Sequence, residues 1–205
     1  LNPDEDTLTK YYKAVDLWNT VELPKVLAQG IKAQEMKPCH LALIFRDPKL
    51  GEKEICVMQS ARYVFSNDPE LVIQQAHNDI SFFQEQGFNV LREKIEASAY
   101  GIEGIPSTDN EAQQYNKYFE FHIKVGRKDQ STNHPITETE ISELKEISHK
   151  FTKQYGIPVP LSFNKRKDKL NEDGRGHQRF LNLRFRSMGI DNIKPKVKAV
   201  VRAID

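Results

Sequence analysis

The sequence contains little cysteine and no long apolar segment. Its 205 residues include only Cys39 and Cys56, too few for the disulfide framework that stabilises small secreted domains. No apolar run approaches the ~20 residues of a membrane-spanning helix, and no signal peptide opens the chain. Because both cysteines lie in apolar, strand-like runs, we expect buried free thiols and a cytoplasmic protein.

The composition is that of a globular protein. Hydrophobic residues make up 38% of the chain and charged residues 29%, which excludes both a disordered tail and a membrane protein. The chain begins with Leu rather than Met, from which we expect a piece of a longer protein. We predict an N-terminal helical segment over residues 1–37, packed on a single α+β domain over residues 38–205.

Charge is distributed unevenly along the chain. Residues 1–114 carry 11 Lys and Arg against 18 Asp and Glu, whereas residues 115–205 carry 19 against 11. The net charges of the two parts are therefore −7 and +8. A positive C-terminal half favours an anionic ligand or partner. Mutual neutralisation of the two halves across an internal interface is the alternative.

The first half predicts helices on either side of a hairpin. Apolar residues from Leu8 to Trp18 recur at helical spacing, which indicates a helical segment between residues 4 and 32. Residues 39–46 and 54–65 are β-rich and flank a Pro/Gly turn, as in a β-hairpin. A helix is expected to follow from Pro69 to Gly87, and then a strand over residues 88–98.

The second half repeats this order. It predicts strands at 117–125, 159–164 and 178–186, a helix that begins with the capping-box pair Thr137 and Glu140, and a last helix from about residue 191. Residues 101–116 are expected to form a long loop. The pseudo-repeat halves 38–100 and 115–205 predict a ferredoxin-like α+β fold: βαβ repeats, a largely antiparallel sheet with helices on one face, and extra edge strands.

Strict alternation in the three later strands predicts a polar sheet face opposite the core. One set of alternate positions, such as Phe121 and Leu183, is apolar. The other set displays Glu120, His122, Lys124, Ser162, Asn164, Asn182, Arg184 and Arg186. These groups suit oriented hydrogen bonds to a ligand, although any antiparallel sheet with one solvated side also carries polar residues there.

The chemistry of this face suggests a phosphate site. His122 with Glu120 is the candidate acid/base pair, and the ligand-binding candidates are Lys124, Ser162, Asn164, Asn182, Arg184 and Arg186. The segment from Ser162 to Arg186 carries eight Lys and Arg against three acidic residues, so its basic loop is a further candidate for phosphate binding. Phosphate-loop, dinucleotide and zinc motifs are absent from the sequence, so we predict no cofactor and no metal.

Motifs of this chain, most of them on the polar face, resemble those of two protein families. The pattern Phe119-Glu120-x-His122-x-Lys124, Leu161-Ser162-x-Asn164 and Arg179-Phe180-x-x-x-Arg184 resembles one in a bacterial family of unassigned function. That similarity covers roughly residues 115–205 and implies a common fold and site.

The second resemblance is to the 2H phosphoesterases. His40-Leu41-Ala42-Leu43 and His122-Ile123-Lys124-Val125 are similar to the paired His-x-Thr/Ser-x motifs of that family. The resemblance implies two histidines facing each other across a pseudo-twofold axis, acting on cyclic phosphates or RNA ends. Here Ala42 and Lys124 replace both motif hydroxyls, which removes donors that would stabilise the transition state.

Two functions are therefore expected. The first is binding of a phosphorylated ligand, a nucleotide or RNA end, on the polar face, with phosphoesterase-like chemistry at His122. The second is a non-enzymatic protein-interaction module that uses the acidic and basic halves of the chain. Neither function involves a membrane.

Overall fold

The fold is that of a computed structural model, which describes residues 3–47, 51–98, 104–114, 117–126, 136–165 and 178–204. The described helices are α1 (Glu5–Leu17), α2 (Leu23–Ala28), α3 (Pro69–Glu85), α4 (Asp109–Gln113), α5 (Glu138–Tyr155) and α6 (Ile190–Ile204), with a π-helical segment, Trp18–Glu22, joining α1 to α2. The described strands are β1 (Lys32–Ala33), β2 (Lys37–Asp47), β3 (Gly51–Ala61), β4 (Val64–Phe65), β5 (Tyr118–Val125), β6 (Leu161–Asn164) and β7 (Arg179–Arg186). No helix in these described ranges is both long and apolar enough to cross a membrane.

The α+β class is confirmed. Among the described strands, five form a sheet in the order β3-β2-β6-β7-β5, and the pairs β2–β6, β6–β7 and β5–β7 are antiparallel. The residues fall into two compact units, one of Leu1, His40–Val57 and Ala99–Asp205, the other of Asn2–Cys39 and Met58–Ser98. The predicted boundary between residues 37 and 38 stays a prediction.

The first unit places two helices against one face of the sheet. Leu144 and Phe151 of α5 and Val200 of α6 are buried in one cluster with Leu181 and Phe185 of β7. Thr137 and Glu140 form the predicted capping box at the start of α5. At its end Gly156 takes the left-handed conformation that favours glycine. The apolar alternation of β5 and β7 therefore faces the helices, and the polar alternation faces away from them.

The second unit has its own core. Trp18, Val15 and Tyr11 of the N-terminal helices are buried in a cluster with Phe83 of α3. Beside this cluster, the Arg62 guanidinium lies 4.7 Å from the centre of the Trp18 ring. It also forms an ion pair with Asp79, with 2.7 Å between Nε and Oδ2.

Two expectations about local structure are wrong. Residues 88–98 contain no strand, although their alternation predicted one. The segment expected to be a loop over residues 101–116 contains α4, which begins with a capping box of Thr108 and Glu111. A Ser/Thr-x-x-Glu signal at these positions was present in the sequence and would have predicted this helix.

Candidate functional site

The register of β5 and β7 brings the predicted site residues together. Glu120 lies opposite Arg184, and His122 lies opposite Asn182. Residues that are directly opposite in an antiparallel pair share one face of the sheet. The four side chains therefore form two adjacent rows on the face that points away from α5 and α6.

This polar face is open only in part. His122, Lys124 and Arg186 are exposed. Ser162, on β6 in the middle of the five-stranded sheet, is only 5% exposed. The others, Glu120, Asn164, Asn182 and Arg184, are half-buried.

Asn182 is the centre of a hydrogen-bond network on this face. Its Nδ2 donates to Ser162 Oγ at 2.7 Å and to the Pro160 carbonyl oxygen at 3.2 Å. Its Oδ1 lies 2.6 Å from His122 Nδ1. One amide side chain therefore connects the start of β6 to the exposed histidine on β5.

The network fixes the protonation of the His122 ring. The Pro160 carbonyl can only accept a hydrogen bond, so the Asn182 atom that faces it must be the NH2 group. The other amide atom, Oδ1, also only accepts, and His122 must donate to it from Nδ1. A neutral His122 therefore carries its proton on Nδ1 and presents an unprotonated Nε2, the atom that can act as a general base.

The cations of this face differ in what holds them. Arg184 Nη2 donates to Glu120 Oε1 at 2.9 Å, and its guanidinium lies 4.7 Å from the Tyr118 ring centre. The Arg186 guanidinium lies 4.8 Å from the same ring. The side chain of Lys124 is exposed and has no hydrogen bond or ion pair within the described ranges. If the Glu120 charge offsets that of Arg184, Lys124 and Arg186 leave the side chains that β5 and β7 place on this face with a net positive charge.

Position along the strands divides the predicted residues into a centre and two ends. Ser162 is level with Lys124, because both lie opposite Phe180. Asn164 on β6 and Arg186 on β7 each lie four strand residues from the row of His122, about 13 Å at the usual rise per residue. Of the predicted cations on β5 and β7, Lys124 and Arg184 are therefore nearest in register to a phosphate bound at His122.

His40, the other histidine of the 2H-like pair, lies on the opposite face of the sheet. Ala42 pairs with Phe163 and Ile44 with Leu161, which places the even positions of β2 on the core side. Burial, followed by the nearby charge of Lys165, lowers the pKa of His40. The alternation of β2 thus keeps His40 and His122 from facing each other, as the 2H arrangement requires.

Most of the basic loop, residues 166–177, lies outside the described residues. The Pro160 carbonyl was missed because residue-type motifs do not record backbone acceptors, although the proline at the start of a strand marks an irregular position.

Comparison of the chain with protein-family models, with curated proteins and with solved structures finds no significant match in any of the three.

Proposed function

We propose that the polar sheet face binds a phosphorylated ligand, a nucleotide or an RNA end, with its phosphate at His122. The observation that carries the proposal is the bond between Asn182 Oδ1 and His122 Nδ1. It leaves Nε2 as a proton acceptor on an exposed side chain, between the rows of Lys124 and Arg184. A solvated face needs polar residues, but it does not need a histidine ring held in one orientation.

The chemistry proposed is phosphoesterase-like. His122 Nε2 takes the proton from the water or ribose hydroxyl that attacks phosphorus. The ester bond between phosphorus and the leaving oxygen breaks, and solvent water protonates that oxygen. Lys124 and Arg184 stabilise the negative charge that develops on the phosphate oxygens. Glu120 orients Arg184 through their ion pair, and Asn182 orients His122 as a positioning residue.

The test is a thermal-shift screen of nucleotides, cyclic phosphates and short phosphorylated RNAs. A ligand at 100 times its Kd stabilises the folded protein by about 2.7 kcal/mol. The melting temperature of a chain of this size rises by roughly 2–4 °C per kcal/mol, so the expected shift is about 5–11 °C. We expect a shift with one phosphorylated class, reduced in Lys124→Ala and unchanged in Lys13→Ala, which removes an exposed cation from α1. Catalysis is then assayed on that class with His122→Ala. Absence of a shift with every phosphorylated compound would contradict the proposal.

Arg184→Ala is a less discriminating variant than Lys124→Ala. Its guanidinium already contacts Glu120 and Tyr118, so its removal changes the fold around the site as well as the charge. We expect Arg184→Ala to lose both ligand affinity and a little thermal stability.

We also propose that the second half has the ferredoxin-like arrangement. The order β5-α5-β6-β7-α6, with β7 lying between β5 and β6, is a split βαβ unit. The proposal is limited to the second half, because residues 88–98 contain no strand.

A second candidate function is the protein-interaction module. It is favoured by an aromatic pair on β4 and the turn before it. Tyr63 and Phe65 are 62% and 55% exposed, and their rings stack with 6.4 Å between centres. Exposed aromatic side chains are enriched at protein interfaces. Stoichiometric, salt-insensitive capture of a partner that is lost in Tyr63→Ser/Phe65→Ser would support this function.

A further inference from the structure

Helix α6 presents a stripe of cations on its outer side. Lys194, Lys198 and Arg202 follow one another at intervals of four residues, and all three are exposed. On an α-helix such positions advance about 6 Å along the axis and turn by about 40° at each step. The three charges, which we call the α6 stripe, therefore lie along about 12 Å of one side of the helix.

Acidic residues leave this stripe almost uncompensated. The sequence contains no Asp or Glu between Asn192 and Ile204, and Asp205 follows directly. The nearest acidic side chain on the helix is Asp191, whose Oδ1 is 3.9 Å from Lys194 Nζ in an exposed pair. An exposed ion pair at this distance has a small interaction energy, so it neutralises little of the Lys194 charge. No ion pair to Lys198 or Arg202 occurs in the parts of the chain that the structure describes.

The apolar side of α6 is already occupied. Ile193 and Val200 are fully buried in the first unit, and Val197 and Ile204 pack against the same cluster. A membrane-surface helix needs its apolar side free to enter the lipid. The structure therefore favours a partner that is recognised through charge alone.

We propose that the α6 stripe binds the phosphate backbone of a nucleic-acid duplex, without reading its sequence. A duplex carries one negative charge per ~1.7 Å of its axis, so phosphates are available to each cation along the 12 Å of the stripe. Lys and Arg contacts to phosphate fix position and need no shaped pocket. Protein interfaces, in contrast, are depleted in lysine. This surface is separate from the site at His122, and the proposal does not depend on that site.

The salt dependence of binding gives the test a number. Three phosphate contacts predict a slope of about −2.7 for the logarithm of the association constant against the logarithm of salt concentration, or a loss of about 40-fold between 50 and 200 mM KCl. Removal of two cations should reduce the slope to about −0.9 and that loss to about 3.5-fold. The probe is a fluorescein-labelled 20-base-pair DNA duplex, followed by fluorescence anisotropy.

The variant is Lys198→Gln/Arg202→Gln, and its matched control is Lys10→Gln/Lys13→Gln. Both pairs lie on exposed helix positions and change the net charge by the same amount. We expect weaker duplex binding and a smaller slope only in the α6 variant. Circular-dichroism melting of both variants checks that the fold is retained.

Three outcomes would overturn the proposal. One is equal weakening in the two variants, which means that net charge alone attracts the duplex. Another is no duplex binding by the wild-type protein at 50 mM KCl. The third is binding to phosphatidylserine vesicles without binding to the duplex. His122→Ala separates the two sites, because it should leave duplex binding unchanged while it affects the small phosphorylated ligand.

Discussion

Replacement of Asn182 by Leu should release His122 from a single tautomer. Leucine has a similar size but offers no acceptor to Nδ1, so the bond seen at 2.6 Å is lost. A hydrogen bond of this kind contributes about 0.5–1.5 kcal/mol net, which changes the ratio of the two neutral tautomers by about two- to thirteen-fold. The ratio of the Nδ1–H form to the Nε2–H form should fall by this factor.

The assay is nitrogen-15 NMR of the imidazole rings above the pH at which histidines are protonated. The signals of His122 are assigned by their absence in His122→Gln. The wild-type protein should show the proton on Nδ1, and Asn182→Leu should show a mixture of both forms. A wild-type ring protonated mainly on Nε2, or a tautomer ratio that the substitution does not change, would refute the reasoning.

Stability provides a control for this experiment. The Ser162 hydroxyl is buried and accepts from Asn182 Nδ2, so Asn182→Leu costs up to about 1–3 kcal/mol through the unpaired hydroxyl. Ser162→Ala in the same chain removes that hydroxyl. The double variant should regain stability but keep the mixed tautomers, which separates the effect on His122 from an effect on folding.

Further predictions concern buried groups and one close backbone contact. Burial raises the pKa of Tyr11 to about 12, so the folded state keeps a proton that the unfolded chain releases above pH 10. The free energy of unfolding should therefore fall by about 2 kcal/mol between pH 10 and 12, and urea unfolding of Tyr11→Phe should lack this loss. Arg62→Met leaves Asp79 buried without its cationic partner and should lower the free energy of unfolding by about 3–5 kcal/mol at pH 7. Because burial raises the pKa of Asp79, the cost should be smaller at pH 4, and Arg62→Met/Asp79→Leu should recover most of it if the ion pair is the cause. Gly189→Ala should destabilise the fold by about 1–3 kcal/mol, since its Cβ would lie 2.2 Å from the Ser107 carbonyl oxygen; Gly126→Ala, with nothing within 4 Å, is the control in the same thermal melts, and equal melting temperatures would contradict the argument.

The elements of the fold were largely predictable because their signals are local. Alternation identified β5 and β7, and the capping box at Thr137 identified the start of α5. Residues 88–98 show the limit of such signals. Their alternation is typical of a strand, but a strand also needs a neighbour to complete its hydrogen bonds. In the structure Phe88 and Val90 instead pack against the core of the second unit, while Leu91 is 88% exposed.

The candidate site was predictable only as a set of residues that share a face. A period of two residues assigns His122, Asn182 and Arg184 to the same side of the sheet without knowledge of the fold. Which of them touch depends on the register between β5 and β7, which lie about 60 residues apart in the chain. For the same reason the sequence could not show that Asn182, rather than a charged group, holds the His122 ring, or that Arg184 is bonded to Glu120.

The pairing of β5 with β7 has a consequence for how the register of the sheet is specified. A slip of two residues keeps every apolar side chain on the core face, so the hydrophobic pattern alone does not distinguish the two alignments. The slipped alignment would place His122 opposite Arg184 and Lys124 opposite Asn182, which exchanges a neutral hydrogen bond for contact between a histidine and an arginine. The polar side chains of the face thus select one alignment among several that bury the same surface. Replacing them all by threonine would remove the interactions that specify this register as well as the proposed binding site.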